Sequence, residues 1–160
     1  MEMKRVVVTG LGALTPIGNN IEEYWNGLIN GVSGAAPITH FDASQAKTQF
    51  ACELKNFDGN QFFDRKEIRK YDKFAQYGIV AADQAMLDSG INLENLDKDR
   101  AGVIWASGIG SIITFQEEIM SFAKGDGTLR FSPFFIPKMI ADICAGHISI
   151  KYDLRGPNFC

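Results

Sequence analysis

The sequence predicts an α/β fold, and two kinds of observation support this prediction. Residues 5–9 and 102–106 are short β-branched or apolar runs, which is the character of strands buried on both faces of a sheet. Segments with helical periodicity follow each of these runs. Strands and helices that alternate along a chain are typical of a parallel sheet with right-handed crossovers. The sequence offers few strands for its many apolar helices, so we expect an incomplete fold.

The first helix is predicted to begin after Asn20, with Glu23 completing a capping box, and to end at Gly31. Residues 38–41 and 50–54 are then expected to form short extended segments. A single long helix is predicted over residues 65–89, ending at Gly90. Its small residue Gly78 would let a neighbouring element approach closely.

Two further helices are predicted in the second half of the chain. Apolar residues recur at helical spacing from Ile112 to Phe122, and another helix is expected to start at Pro137 and to continue through Ile148. The last six residues indicate a turn that leads into a new strand. We expect that two-residue strand to lack a partner, and a natural terminus at this point is therefore not expected. Cys160 is predicted to be a buried strand residue rather than a nucleophile, because no following helix would stabilise its thiolate.

Composition limits the classes of function. The 160 residues are 46% hydrophobic and 22% charged, which predicts a folded domain with a sizeable core. A net charge of -3 argues against nucleic acid as a partner. Three cysteines without metal spacing favour free thiols, and no apolar run has the length of a signal peptide or membrane span. We expect a cytoplasmic protein with no membrane partner and no metal.

Several motifs invite a functional interpretation that the residues do not support. Gly10-Leu11-Gly12 resembles the start of a dinucleotide fingerprint, but Thr15 replaces its third glycine and Pro16 lies where the phosphate-binding helix would begin. We therefore expect no nucleotide cofactor. The two histidines, His40 and His147, lack metal-ligand spacing and are predicted to be structural.

Two surface features remain open on the residues alone. Five basic residues between 65 and 73 group on one side of a helix, and they either bind an acidic partner or form a solvated face balanced by neighbouring carboxylates. Spacing alone favours the solvated face. The Phe-rich and Pro-rich segment at 131–137 fits a core, a subunit interface or the wall of an apolar pocket.

Six motifs, taken together and in order, resemble those of one protein family. They are RVVVTGLG at 5–12 with TPIGN at 15–19, FFDRKE at 62–67, QYGIVAA at 76–82, SGIG at 107–110, SPFFIP at 132–137 and RGPN at 155–158. The chain resembles the N-terminal part of the type II β-ketoacyl–acyl carrier protein synthases, which belong to the thiolase superfamily. The resemblance covers residues 5–158, and the basic motif favours type II over the related type I enzymes.

The resemblance implies both a fold and an activity. Residues 1–160 are expected to form the N-terminal part of the first half of a thiolase-like, layered α-β-α-β-α fold, with the second half absent. Family members extend fatty acyl chains by decarboxylative Claisen condensation, use no cofactor, act as homodimers and bind acyl- and malonyl-loaded acyl carrier protein. Their nucleophilic cysteine follows the Gly-Pro-Asn turn, so no catalytic residue is expected within these 160 residues.

The resemblance also assigns roles to particular positions. Ile109 resembles the residue that gates the acyl pocket, and Phe134 and Ile140 resemble residues that line its far end from the other subunit. Lys66, Arg69 and Lys70 match the positions that dock the acidic carrier protein, which reverses the interpretation from spacing. Ala106, Ser111 and Lys138 depart from the family pattern, in which the first two are often glycine. Two alternatives stay open: a non-catalytic partner similar to a chain-length factor, and an inactive truncated fragment that self-associates.

Overall fold

Helices and two-residue strands alternate along residues 4–160, the part of the chain that the computed structural model describes. These residues divide into two compact units, one formed by residues 4–58 and 80–91 and the other by residues 59–79 and 92–160. The elements are α1 (Ile21–Ile29), β1 (Ala36–Pro37), β2 (Phe50–Ala51), α2 (Arg65–Lys70), α3 (Lys73–Ser89), β3 (Val103–Ile104), α4 (Ile112–Lys124), α5 (Phe135–Met139), α6 (Ile143–Tyr152) and β4 (Asn158–Phe159). A short 3₁₀ turn, Gly59–Gln61, precedes α2.

Helix α1 begins and ends where the sequence predicts. The Asn20 side chain accepts a hydrogen bond from the Glu23 N–H at 2.8 Å. The reciprocal bond of a capping box differs from the prediction, because the Glu23 carboxylate accepts the N–H of Asn19 rather than that of Asn20. Past the helix end, Gly31 has φ +63, a left-handed conformation that closes a helix at little cost when the residue is glycine.

The prediction of a buried strand at residues 5–9 is wrong for this structure. No strand is assigned there, and Val6 and Val8 are 90% and 80% exposed. A β-branched run becomes a buried strand only beside neighbouring strands, and none of the strands formed by residues 4–160 pairs with it. The loop that follows is held instead by α3, where Asp88 accepts the Leu11 N–H and Gln84 accepts the Ala13 N–H.

The extended segments predicted around residues 38–41 and 50–54 correspond to a small hairpin. Strands β1 and β2 pair antiparallel, with Ala36 opposite Ala51. The Ile38 N–H continues the ladder by donating to the Gln49 carbonyl at 3.1 Å. The first strand of the hairpin, Ala36–Pro37, comes just before the segment predicted at residues 38–41.

The single helix predicted over residues 65–89 is two helices. Helix α2 ends at Tyr71, whose ψ of 126 is extended, and α3 starts after Asp72. Asp72 accepts the Phe74 N–H at its carboxylate and the Gln76 N–H at its carbonyl, so it caps the start of α3. Aspartate offers its own backbone such bonds and therefore favours a helix start over a helix interior. Gly90, with φ +61, ends α3 as predicted.

The core of the second unit lies where α6 meets the first turns of α3. Cys144 and Ala145 of α6 and Ala75 of α3 are fully buried. A Cβ added at Gly78 would lie 2.5 Å from the Cys144 sulfur and 2.6 Å from the Trp105 ring, so the predicted close approach is confirmed. Burial raises the pKa of the Cys144 thiol to about 12, with the Cys160 thiol as a second contribution.

The final strand has a partner, contrary to the expectation from sequence. Strands β3 and β4 pair parallel, with Val103 opposite Asn158, and the Trp105 N–H donates to the Phe159 carbonyl at 3.0 Å. Two residues are enough for this pairing because the Pro157 carbonyl extends the ladder by accepting the Val103 N–H. Cys160 is exposed, so the prediction that it is buried is wrong.

The helix predicted to run from Pro137 through Ile148 is also two helices. Pro137 lies in the first turn of α5, and the chain becomes extended at Ile140 before α6 begins. Helix α4 is confirmed, and the Ser111 side chain caps it by accepting the Thr114 N–H at 3.1 Å.

Candidate functional site

The basic helix α2 is fixed at its start by a complete capping box. The Asp64 side chain accepts the N–H groups of Lys66 and Glu67, and the Glu67 side chain accepts the Asp64 N–H at 2.9 Å. The capping box lets six residues form a stable helix although a helix this short is marginal on its own. All four cations of this helix are exposed, and we call three of them, Lys66, Arg69 and Lys70, the α2 basic surface.

The carboxylates that could neutralise the α2 basic surface have other partners. Asp64 and Glu67 bond backbone N–H groups in the capping box, and Asp72 accepts two hydroxyl groups. Across residues 4–160, no carboxylate lies within ion-pair distance of Lys66, Arg69 or Lys70. The Glu67 N–H, and after it the Lys66 N–H and the charges of Lys66 and Lys70, lower the pKa of Asp64.

An aromatic stack supports the C-terminal end of α2. The Phe63 and Tyr71 rings meet edge to face at 5.6 Å, and the Tyr71 and His147 rings lie 4.4 Å apart. A cleft of about 210 Å³ lies against these three rings and Ile150. Burial, and then the charge of Lys70, lower the pKa of His147, which favours the neutral ring. His147 is therefore a packing residue of this stack, as the sequence predicted.

The Gly-Ile-Gly turn after β3 presents Ile109 to solvent. The Gly110 N–H donates to the Ser107 hydroxyl at 3.0 Å, and Gly110 has φ +78. A Cβ at Gly110 would lie 2.2 Å from the Met139 carbonyl oxygen, so only glycine fits. The Ile109 side chain is 68% exposed.

The same turn contacts the end of α5. The Ser111 N–H donates to the Met139 carbonyl at 3.1 Å, and the half-buried Ile140 is the next residue. Ile109 and Ile140 therefore flank one backbone contact. Phe134, also half-buried, lies at the opposite end of α5, where its carbonyl accepts the Lys138 N–H. The structure thus brings two of the three predicted pocket residues into one neighbourhood and places the third at the far end of a five-residue helix.

Phenylalanine rings connect α4 to α5. Phe135 stacks on Phe115 at 6.1 Å and on Phe131 at 5.6 Å, and Phe131 lies 5.7 Å from Phe122. Much of this cluster faces solvent. We call the exposed apolar residues of this region the α4–α5 apolar surface, and they are Ile112, Ile113, Phe115, Ile119, Met120, Phe122, Leu129, Phe131 and Ile136.

Sequence reasoning missed the polar cluster formed by Asp72, Ser111 and Thr114. The Ser111 and Thr114 hydroxyl groups donate to the same Asp72 oxygen at 2.5 and 2.6 Å. An aspartate within a helical pattern is a helix-start signal, and it could have revealed the break before α3. Ser111 and Thr114 follow Asp72 by 39 and 42 positions in the chain, and no local signal indicates that their hydroxyl groups would contact its carboxylate.

Comparison with known proteins identifies the family. Residues 3–160 match the model of the β-ketoacyl synthase N-terminal domain. The chain belongs to the β-ketoacyl synthase family. The 3-oxoacyl-[acyl-carrier-protein] synthase 2 of Synechocystis sp. is 43% identical over all 160 residues, and that of Coxiella burnetii is 44% identical over 158 residues. The chain spans 38% of the length of each of these β-ketoacyl synthases.

Solved structures have the same fold. One such structure is a type II polyketide ketosynthase in complex with its acyl-carrier protein. It matches this chain with a TM-score of 0.78 and 25% identity, and the match covers 97% of this chain and 41% of the other chain. The ishigamide ketosynthase/chain length factor matches 96% of this chain with a TM-score of 0.74 and 28% identity, and 38% of that chain is covered. The expected thiolase-like α/β fold is therefore confirmed, and this chain corresponds to its N-terminal part.

Residues 4–160 lack two kinds of feature, a membrane-spanning helix and a cluster of metal-ligating side chains. Helices in this range are all too short or too polar to cross a membrane. Nor does this range contain a group of three or more His, Cys, Asp or Glu side chains placed to hold a metal ion.

Proposed function

We propose that the full-length protein is a type II β-ketoacyl–acyl carrier protein synthase of fatty acid biosynthesis. The observation that carries this proposal is the 43% identity to the Synechocystis synthase, which extends over the whole of this chain. The exposed cations of α2 and the exposed Ile109 support it, because both are accessible, as docking and gating residues would have to be.

The proposed reaction extends an acyl chain by two carbons. A cysteine thiolate attacks the thioester of acyl-loaded carrier protein, and the carrier-protein thiol leaves. Malonyl-loaded carrier protein then loses carbon dioxide, and the electron pair of the broken C–C bond remains on the α-carbon. That carbanion attacks the acyl-cysteine carbonyl and expels the thiolate, which regenerates the nucleophile. Residues 1–160 contribute binding surfaces in this proposal and contribute no catalytic side chain, so these residues alone would lack condensing activity.

The α2 basic surface would bind the acidic carrier protein. Lys66, Arg69 and Lys70 have no ion-pair partner within residues 4–160, so a partner's carboxylates would not have to displace an internal ion pair. Charged surfaces of this kind raise the association rate and fix orientation, and salt screens them.

Ile109, Phe134 and Ile140 would form the acyl pocket of a homodimer. Ile109 is exposed on its turn, as a gate must be, and Ile140 lies beside the same turn. The α4–α5 apolar surface supports the dimer because an apolar area of this kind is normally covered in a folded protein. Phe134 and Ile140 of one subunit would then reach the pocket of the other.

The charge reversal of the α2 basic surface tests the proposed function. In the full-length protein, Lys66→Glu with Arg69→Glu and Lys70→Glu is expected to weaken carrier-protein binding by about 10- to 100-fold at low salt, measured by calorimetry. The loss should shrink as the salt concentration rises. The matched control reverses three exposed cations elsewhere, Lys47, Lys55 and Arg100. Equal losses in both triple variants would mean that net charge, and not this surface, governs binding.

A chain-length-factor-like subunit is the second candidate function. The similarity to the ishigamide ketosynthase/chain length factor favours it, since the name of that structure includes a chain length factor as well as a ketosynthase. The residue at the nucleophile position, a few positions after the Gly-Pro-Asn turn, distinguishes the two candidates. Labelling of the full-length protein by an acyl thioester would support the synthase, and a stable protein without any acylated cysteine would support the alternative.

A further inference from the structure

Asp72 connects the end of the basic helix to the start of α4. One of its carboxylate oxygens accepts the hydroxyl groups of Ser111 and Thr114, at 2.5 and 2.6 Å. The other accepts the Phe74 N–H at the first turn of α3. Ser111 and Thr114 are both buried. Asp72 itself is half-buried. A carboxylate that accepts three donors holds its neighbours in one arrangement, because each donor would otherwise lose its partner.

The connection joins two surfaces that have separate proposed roles. Asp72 follows Lys70 by two residues, and Ser111 follows Ile109 by two residues. Between Lys70 and Asp72 lies Tyr71, whose ring is packed between Phe63 and His147, so this end of α2 cannot shift without moving the stack. On the other side, Gly110 fits tightly against the Met139 carbonyl. A displacement of Asp72 therefore acts on the turn that carries Ile109.

We propose that Asp72, through the hydroxyl groups of Ser111 and Thr114, positions the Ile109 turn relative to the α2 basic surface, so that partner binding at α2 and acyl occupancy beside Ile109 are energetically coupled. The proposal rests on the proposed function for the identity of the two ligands. Asp72 is a positioning residue in this account, since it touches neither partner nor acyl chain.

Coupling of this kind is reciprocal and can be measured by binding alone. If an acyl ligand changes the affinity for the carrier protein by some factor, the carrier protein changes the affinity for the acyl ligand by the same factor. A role of Asp72 in helix capping alone would alter stability and leave this factor unchanged. The ratio of two dissociation constants therefore separates coupling from a structural role.

The experiment measures the dissociation constant of unloaded carrier protein for the full-length protein, with and without saturating dodecanoic acid as the pocket probe. We expect the two constants to differ by about fivefold or more in the unsubstituted protein. Thr114→Val keeps the side-chain shape and removes the hydroxyl, while the Thr114 N–H still caps α4 through Ser111. Thr114→Ser keeps the hydroxyl. Ser111→Ala removes the second donor together with the α4 cap, so Thr114→Val is the variant that decides. Ser121→Ala changes an exposed serine of the same helix as a control.

For Thr114→Val and Ser111→Ala, we expect the ratio of the two dissociation constants to fall to within about twofold of one. For Thr114→Ser and Ser121→Ala, we expect the same ratio as in the unsubstituted protein. An unchanged ratio in Thr114→Val, with carrier-protein binding intact, would overturn the coupling and leave the proposed function standing. A ratio of one in the unsubstituted protein would overturn it as well. Absence of carrier-protein binding by the unsubstituted protein would overturn both proposals together.

Discussion

The α2 basic surface and the α4–α5 apolar surface belong to the same compact unit, and both are exposed, but they differ in chemistry and in how they are held. Helix α2 is short and capped, and its Lys66, Arg69 and Lys70 side chains have no ion-pair partner within residues 4–160. Helices α4 and α5 are joined by stacked phenylalanine rings and leave isoleucines facing water. A solvated charge is stable without a partner, whereas exposed apolar area carries a continuing free-energy cost.

This difference suggests two kinds of interface. A surface of hydrated cations suits a partner that binds and leaves, since its attraction is long-ranged and salt-dependent. A surface of exposed apolar side chains suits a permanent contact that excludes water. The Asp72 cluster lies between the two surfaces, so the comparison can be tested from either side.

The largest effect is expected at Gly110. Gly110→Ala places a Cβ at 2.2 Å from the Met139 carbonyl on a residue with φ +78, so the turn must shift away from α5. We expect a loss of about 3 kcal/mol in the free energy of unfolding of the full-length protein, measured in urea. Gly108→Ala in the same turn meets nothing within 4 Å and is the control. Similar losses in both variants would contradict a contact specific to Gly110.

An intermediate effect is expected on the apolar surface. Ile136 is 54% exposed at the start of α5, and Ile136→Glu would place a charge in the proposed dimer interface. We expect the dissociation constant of the dimer to rise by about 100-fold. Light scattering would show this as a shift from dimer to monomer. Leu87→Glu tests an equally apolar side chain, 85% exposed on α3, and should leave the dimer intact. A dimer that tolerates Ile136→Glu would remove this surface from the interface.

The smallest effect is expected at the cap of the basic helix. The N–H of Glu67 is the main cause that lowers the pKa of Asp64, so its carboxylate contributes to α2 at every pH above its ordinary pKa. That contribution is lost as the pH falls through the lowered pKa of the folded state. A carboxyl titration by NMR should place Asp64 below an aspartate in an unfolded peptide. Asp64→Asn keeps a capping oxygen without a titration and should remove this transition; a normal pKa for Asp64 would contradict the capping bonds.

Two β-branched or apolar runs show the limit of local prediction. Residues 5–9 and 102–106 both have the pattern of a buried strand, yet Val103 is 8% exposed and paired with β4 while Val6 is 90% exposed. The difference lies in the neighbours that each run has and not in the runs themselves. A strand is a non-local structure, because its hydrogen bonds and its burial come from residues that are distant in sequence.

Helix boundaries show the same division. Asn20, Gly31 and Gly90 start or end their helices as predicted, because caps act through bonds within a few residues. The breaks at Asp72 and Ile140 were missed because helical periodicity continues through both positions. Asp72 has a long-range role as well as a local one, since its carboxylate accepts hydroxyl groups of Ser111 and Thr114.

The sequence by itself determined the α/β class, the family and the positions of the basic helix and the Gly-Ile-Gly turn, because these depend on local residue order and on motifs. Only the tertiary structure decided that the carboxylates near Lys66, Arg69 and Lys70 have other partners, and that Asn158 and Phe159 pair with β3. It also decided that Asp72 links α2 to the Ile109 turn. These outcomes depend on contacts between residues far apart in the chain, and no local pattern fixes which of several acceptors a buried hydroxyl will find.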